Sequence, residues 1–174
     1  MDYENINVLI SKDSIAEQID ILGKKISSDY AGKDIYVLSL LRGSFIFTAD
    51  LVRALDLNVK IGFMTTSSYG NEEVSSGKVK IVNDIPDNIE NAHVIVVDDI
   101  VDTGITMDFV INHVKNLGAA SVKSCVLLDK PDRRKVCIKP DYCCFEIPDV
   151  FVAGYGLNYG DFYRNIPYIF NFEK

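Results

Sequence analysis

His93-Val-Ile-Val-Val-Asp-Asp-Ile-Val-Asp-Thr-Gly-Ile-Thr-Met107 packs an apolar strand, a polar turn and the start of a helix into one segment. The apolar run His93–Asp98 is short and β-branched, the pattern of a strand buried on both faces. After the turn, Met107, Val110, Ile111, Val114 and Leu117 recur at helical spacing, and Gly118 is placed to stop the helix. The strand delivers Asp98 and Asp99 at its carboxyl end, where ligands bind in open α/β sheets. The turn Asp102-Thr-Gly-Ile-Thr106 offers backbone N–H groups, two hydroxyls and a helix N-terminus, a combination suited to a phosphate monoester. Three carboxylates crowded beside such a site need other work to do. Ribose hydroxyls, a divalent cation or a substrate proton would each supply it. The plain structural alternative is an acidic turn with a threonine-capped helix. The segment is neither a Walker A loop nor a Rossmann glycine fingerprint.

The chain on either side extends the same alternation. Ser11 to Ile26 has Ile15, Ile19, Leu22 and Ile26 on one helical face, with a capping box at Ser14–Glu17 or Ser11 as the cap. Ile35–Leu41 reads as a buried strand, broken by Arg42-Gly-Ser44. A second helix follows, lined by Phe45, Ala49, Val52 and Leu55. Val59–Thr65 is a strand that runs into the polar stretch 67–78, expected to be a mobile loop. Lys78–Val82 is expected to return as the second arm of a long hairpin. Val122–Leu128 is the next buried strand, followed by short β-like pieces at Tyr142–Ile147 and Phe151–Ala153 and an aromatic-rich tail. Strands and helices alternating in this way predict an α/β domain with a mostly parallel central sheet flanked by helices.

Composition narrows the function classes. With 174 residues, 48% hydrophobic and 25% charged, the chain suits a single domain with a full core, spanning 1–174. Lysine plus arginine number 18 against 25 acids, a net charge of −7. That balance disfavours nucleic acid and anionic membranes as partners but leaves room for an anionic small molecule in a locally basic pocket. Cys125, Cys137, Cys143 and Cys144 lack metal-site spacing and are expected to be reduced, buried thiols of a cytoplasmic protein. The first ten residues do not read as a signal peptide, and no apolar run reaches the ~20 residues of a membrane span. His93 and His113 fit no ligand or triad spacing and are expected to be structural.

Val96-Val-Asp-Asp-Ile-Val-Asp-Thr-Gly-Ile-Thr106 resembles the phosphoribosyl-pyrophosphate (PRPP) signature of the type I phosphoribosyltransferases. Other motifs resemble one branch of that family, the 6-oxopurine (hypoxanthine-guanine) phosphoribosyltransferases. Leu40-Leu-Arg-Gly-Ser44 is similar to its pyrophosphate loop, and Ser68-Tyr69 sits where the family carries a mobile lid. Leu127-Leu-Asp-Lys130, Lys139-Pro-Asp-Tyr142 and Phe151-Val-Ala-Gly-Tyr155 match its base-recognition region. The resemblance implies the type I fold with a small hood built partly from the C-terminal segment, a lid hairpin and a homodimer or homotetramer. It implies a magnesium-dependent enzyme of purine salvage, in which a purine nitrogen displaces pyrophosphate from PRPP to give IMP or GMP.

By the same resemblance Asp102 handles the proton of the purine imidazole ring. Thr103, Gly104, Ile105 and Thr106 hold the 5′-phosphate, while Asp98 and Asp99 meet the ribose hydroxyls and steer magnesium. Leu41, Arg42, Gly43 and Arg164 meet the pyrophosphate, and the Leu41–Arg42 peptide is one that can be cis in the family. Lys130 donates to the purine O6, and an ammonium cannot accept from the amine of adenine. Phe151 stacks on the base, the Val152 backbone reads its edge, and Ser68 and Tyr69 belong to the lid. Four positions depart from the family pattern, one of them Arg42, which replaces a more frequent lysine and keeps its positive charge. Asp98 replaces a glutamate, Asn158 replaces a magnesium-ligating aspartate and so makes a weaker site, and Val150 replaces a lysine near the base. Arg133 and Lys135 read as a solvated basic turn, and Arg134 as structural or pyrophosphate-side. A regulatory PRPP-binding protein acting on RNA or DNA is the competing class. It would need a basic face that the charge balance does not provide.

Overall fold

The computed structural model describes residues 6–68 and 79–172. In chain order these form β1 (Ile6–Ile10), α1 (Lys12–Asp29), β2 (Ile35–Leu41), α2 (Phe45–Arg53), β3 (Val59–Ser68) and β4 (Val79–Asn83). Then come β5 (His93–Val101), α3 (Ile105–Asn116), β6 (Ser121–Asp129), β7 (Tyr142–Glu146) and β8 (Ile169–Phe172). The central sheet has the order β4-β3-β2-β5-β6-β7 and is parallel throughout except for β4, which runs antiparallel to β3. The expected α/β architecture is therefore present, and β4 is the expected returning arm.

The inner strands β2, β5 and β6 are buried on both faces, and alternate residues enter two cores. Val37, Val97, Cys125 and Leu127 pack with Ile15, Ile19, Leu22 and Ile26 of α1 and with Phe47 and Leu51 of α2. Leu38, Val94, Val96 and Val126 pack with Met107, Val110 and Val114 of α3. Each of these side chains contributes roughly 1.5–3 kcal/mol of transfer free energy. The two-sided burial explains why β2, β5 and β6 read as continuous apolar runs rather than alternating ones.

Several elements differ from the sequence reading. Ser11 caps α1, its hydroxyl accepting from the Ser14 N–H at 3.1 Å, so the Ser14–Glu17 box is not the cap used. On α2 the buried face is Phe47, Thr48 and Leu51, whereas Phe45 is 44% exposed. The core contact of that helix is set by a buried hydroxyl chain. Ser39 Oγ lies 2.8 Å from both Ser44 Oγ and Thr48 Oγ1, so polar residues take part of the inward stripe. Only Cys125 of the four free cysteines is buried, and Cys137 is exposed. Both histidines bond within the structure: His93 Nδ1 lies 2.8 Å from Ser121 Oγ, and His113 Nε2 lies 2.8 Å from Asp84 Oδ1. The sequence reading missed β1 and β8, which pair antiparallel in a separate two-stranded sheet beside the Gly154–Gly156 loop. No helix among the described residues is long and apolar enough to cross a membrane.

Candidate active site

Strand β5 runs three residues past the point where its apolar run ends, so Asp98 and Asp99 lie within the strand. Both carboxylates are pushed up from their ordinary range, Asp98 the more strongly. Burial is the main cause for each, and for Asp98 the neighbouring Asp99 charge adds to it. Local donors offset part of this. The Asp99 N–H donates to Asp98 Oδ1 at 3.0 Å, the Ile100 N–H donates to Asp99 Oδ1 at 2.8 Å, and the Arg164 charge also favours ionised Asp99. Two partly compensated carboxylates at the end of a sheet form an electron-rich edge that favours a cation.

Beyond them the chain turns through Asp102–Gly104 into α3. Gly104 adopts φ +83°, which only glycine reaches without strain, and it is packed under Ile138 and Arg134. A Cβ there would lie 2.6 Å from Ile138 Cγ2. No side chain caps α3, so its first-turn N–H groups face the cavity, with Thr103 Oγ1 only 3.4 Å from the Ile105 nitrogen. Asp98, Asp102, Thr103, Gly104 and Thr106 line this one cavity of about 110 Å³, with Ile100, Val101 and Met107 completing its wall. These last three escaped the sequence reading because apolar lining residues look like ordinary core.

The loop after β2 closes against the same edge. The Leu41–Arg42 peptide is cis, as the resemblance allows. Gly43 sits so close to Asp99 that a Cβ would fall on Asp99 Oδ2. Arg42 is exposed and forms no ion pair among the described residues. Arg164 Nη1 donates to the Gly156 carbonyl at 2.6 Å, and Gly156 packs on the Gly43 carbonyl. Gly43 and Arg164 therefore gather around Asp99.

Lys130, Phe151 and Val152 lie outside that cavity. Lys130 ends the strand next to β5, its N–H donating to the Val101 carbonyl at 2.9 Å. It is only 7% exposed, with its Nζ 4.0 Å from Asp149 Oδ1. Val152 is buried and Phe151 is 57% exposed, edge-on to Tyr159 at 5.5 Å. Asn158 is exposed, and its amide nitrogen donates to the Gly160 carbonyl. Ser68 ends β3 and its side chain lies outside the described residues, as does Tyr69.

The basic turn is not simply solvated. Arg133 Nε lies 2.7 Å from Asp102 Oδ1, and its Nη1 lies 3.4 Å from both oxygens of Asp149. Arg134 pairs with the buried Asp129, and the Lys135 N–H donates to the Thr103 carbonyl at 2.9 Å. No local sequence signal marks Arg133, because Asp102 and Asp149 meet it only in the fold.

Comparison with known proteins agrees with this geometry. Residues 7–160 match the model of the phosphoribosyl transferase domain. The hypoxanthine-guanine phosphoribosyltransferase of Bacillus subtilis (strain 168) is 40% identical over 169 residues, covering 97% of this chain and 94% of the relative. The enzyme of that name from Streptococcus pneumoniae (strain R6) is 46% identical, covering 93% and 90%. The crystal structure of a hypoxanthine-guanine phosphoribosyltransferase from Bacillus anthracis, with a HEPES molecule in its active site, has a TM-score of 0.93 at 42% identity. The match covers 98% of this chain and all of that one. The chain therefore belongs to the phosphoribosyltransferase family, and within it to the hypoxanthine-guanine branch.

Proposed function

We propose that this protein transfers the 5-phosphoribosyl group of PRPP to hypoxanthine, guanine or both, giving IMP or GMP and pyrophosphate. The observation that carries the reading is a pairing at adjacent strand ends. Lys130 is a buried, donor-only side chain, and Asp102, ion-paired to Arg133, is a carboxylate with acceptor lone pairs to spare. A 6-oxopurine presents the complement, an O6 acceptor and an imidazole N–H. Adenine would set an amine against the ammonium.

In the reaction the ring nitrogen attacks the anomeric carbon as the bond to pyrophosphate breaks, and Asp102 accepts the proton that the base loses. The N–H groups and hydroxyls of Thr103–Thr106 fix the 5′-phosphate, so the sugar is held while positive charge develops on it. Gly43 lets its loop lie against Asp99, and Arg42 and Arg164 supply charge for the leaving group. Phe151 covers the base, and the Val152 backbone reads its edge.

The raised, adjacent carboxylates Asp98 and Asp99 fit magnesium. The ion takes one or two carboxylates and fills its remaining sites with water and substrate oxygens. No group of three His, Cys, Asp or Glu side chains converges among the described residues, so substrate oxygens and water would have to complete the coordination. When bound, the ion neutralises charge on the pyrophosphate. Asn158, its nitrogen committed to Gly160, retains an oxygen as an uncharged ligand. The reading includes one domain, with the β1–β8 sheet and the adjoining loop as its hood, in a cytoplasmic homodimer or homotetramer. Exposure of Ile61 and Phe63 on β3 supports self-association.

The test is product formation from PRPP and magnesium with hypoxanthine, guanine, xanthine, adenine and uracil in parallel. Nucleotide from hypoxanthine or guanine, but not from adenine or uracil, is the expected result. No product from any oxopurine contradicts the proposal.

A further inference from the structure

The turn after β6 places two arginines side by side with different surroundings. Arg134 is largely buried on Asp129, below Gly104, and holds the phosphate turn from beneath. Arg133 is half-exposed and supports no core. Its guanidinium spans Asp102, at 2.7 Å, and Asp149, at 3.4 Å, while Asp149 in turn lies 4.0 Å from the Lys130 ammonium. The four groups form one chain of alternating charge: Asp102, Arg133, Asp149, Lys130.

We propose that Arg133 is a positioning residue for the transfer, tying the carboxylate that accepts the base proton to the ammonium that reads O6 through Asp149. The inference rests on the proton-handling role proposed above for Asp102.

The physical case has three parts. Asp102 sits at the mouth of a turn, 41% exposed, and a lone carboxylate there would be free to rotate. The Arg133 contact pins Oδ1 by charge, and because each carboxylate oxygen carries two lone pairs, acceptor capacity remains for the incoming N–H. A planar cation held by two carboxylates also fixes the spacing between the two base-reading groups, which a single ion pair cannot do. Such pre-positioning acts on the rate of transfer, with little effect on PRPP binding.

The test compares kcat and both KM values for the full chain and its Arg133→Gln and Arg133→Lys variants, using PRPP, magnesium and hypoxanthine. The same substitutions are then made in Asp102→Asn and Asp149→Asn backgrounds, with single-turnover rates where turnover is slow. Arg133→Gln is expected to lower kcat roughly tenfold with the KM for PRPP unchanged, and Arg133→Lys to recover most of that loss. In the Asp102→Asn background, Arg133→Gln should cost nothing further, because its partner's function is already gone. With Asp149→Asn the losses should combine less than additively. An Arg133→Gln variant at the parent rate overturns the inference, and so does the same tenfold loss with Asp102 already replaced. If the parent chain makes no nucleotide from hypoxanthine or guanine, the proposed function itself fails, a result separate from either of these.

Discussion

The two ends of the central sheet both carry charged groups but treat them differently. At the amino end, charges are closed within the protein. Lys123 Nζ lies 2.6 Å from Asp141 Oδ1, Ser124 donates to Asp141 through both its N–H and its hydroxyl, and the Tyr142 hydroxyl donates to Asp29 at 2.8 Å. Burial alone would raise Asp141, but those donors outweigh it and hold the carboxyl below its usual range. At the carboxyl end, burial pushes Asp98 and Asp99 up, and Asp102 is 41% exposed with only the half-exposed Arg133 beside it. One end is satisfied by folding. The other keeps raised carboxylates, and in the proposed function a ligand satisfies them, at a cost in stability.

Substitutions at the two ends should therefore separate activity from stability. The largest effect expected is that of Asp102→Asn, which should lower the single-turnover rate of IMP formation by roughly 10²–10⁴-fold while leaving the melting temperature nearly unchanged. Lys130→Gln should lower kcat/KM for hypoxanthine by roughly 10²-fold and narrow the gap to adenine, as measured by competition between the two bases. At the opposite end, Asp141→Asn should lower unfolding stability by roughly 1–2 kcal/mol in denaturant titration, with kcat/KM unaffected. The sign with pH follows from the lowered carboxyl. Its stabilisation is present above the unfolded value of about 3.9 and is lost as pH falls through the folded value. The smallest effect expected is that of Asp98→Asn. A carboxyl raised by folding costs stability once ionised and recovers it as pH falls through its folded value. The amide should therefore raise the melting temperature of the ligand-free protein by roughly 2–4 °C while weakening activity.

Most of the sheet was legible because two-sided burial writes itself as apolar runs. Ile35–Leu41 matches its strand at both ends, and β6 differs from its reading by one residue at each end. β1 and β8 were not legible. They pair residues 6–10 with 169–172, and a contact of that sequence separation leaves no local periodicity. The inward face of α2 was misread because Ser44 and Thr48 are buried through hydroxyl bonds rather than by apolarity. In the site, the cavity-lining turn of Asp102, Thr103, Gly104 and Thr106 could be read from its spacing, since turn, hydroxyls and helix start are contiguous. Arg133 could not be read in that way. Its partners, 31 residues before it and 16 after it, meet it only in the fold.

The most direct test of the account is a crystal structure of the chain with IMP, the product of the proposed transfer. The account predicts the 5′-phosphate against the backbone of Thr103–Thr106, the purine O6 facing Lys130 Nζ, and the imidazole edge toward Asp102. A nucleotide seated at the amino end among Lys123, His93 and Tyr142, or bound with its purine turned away from Lys130, would contradict it.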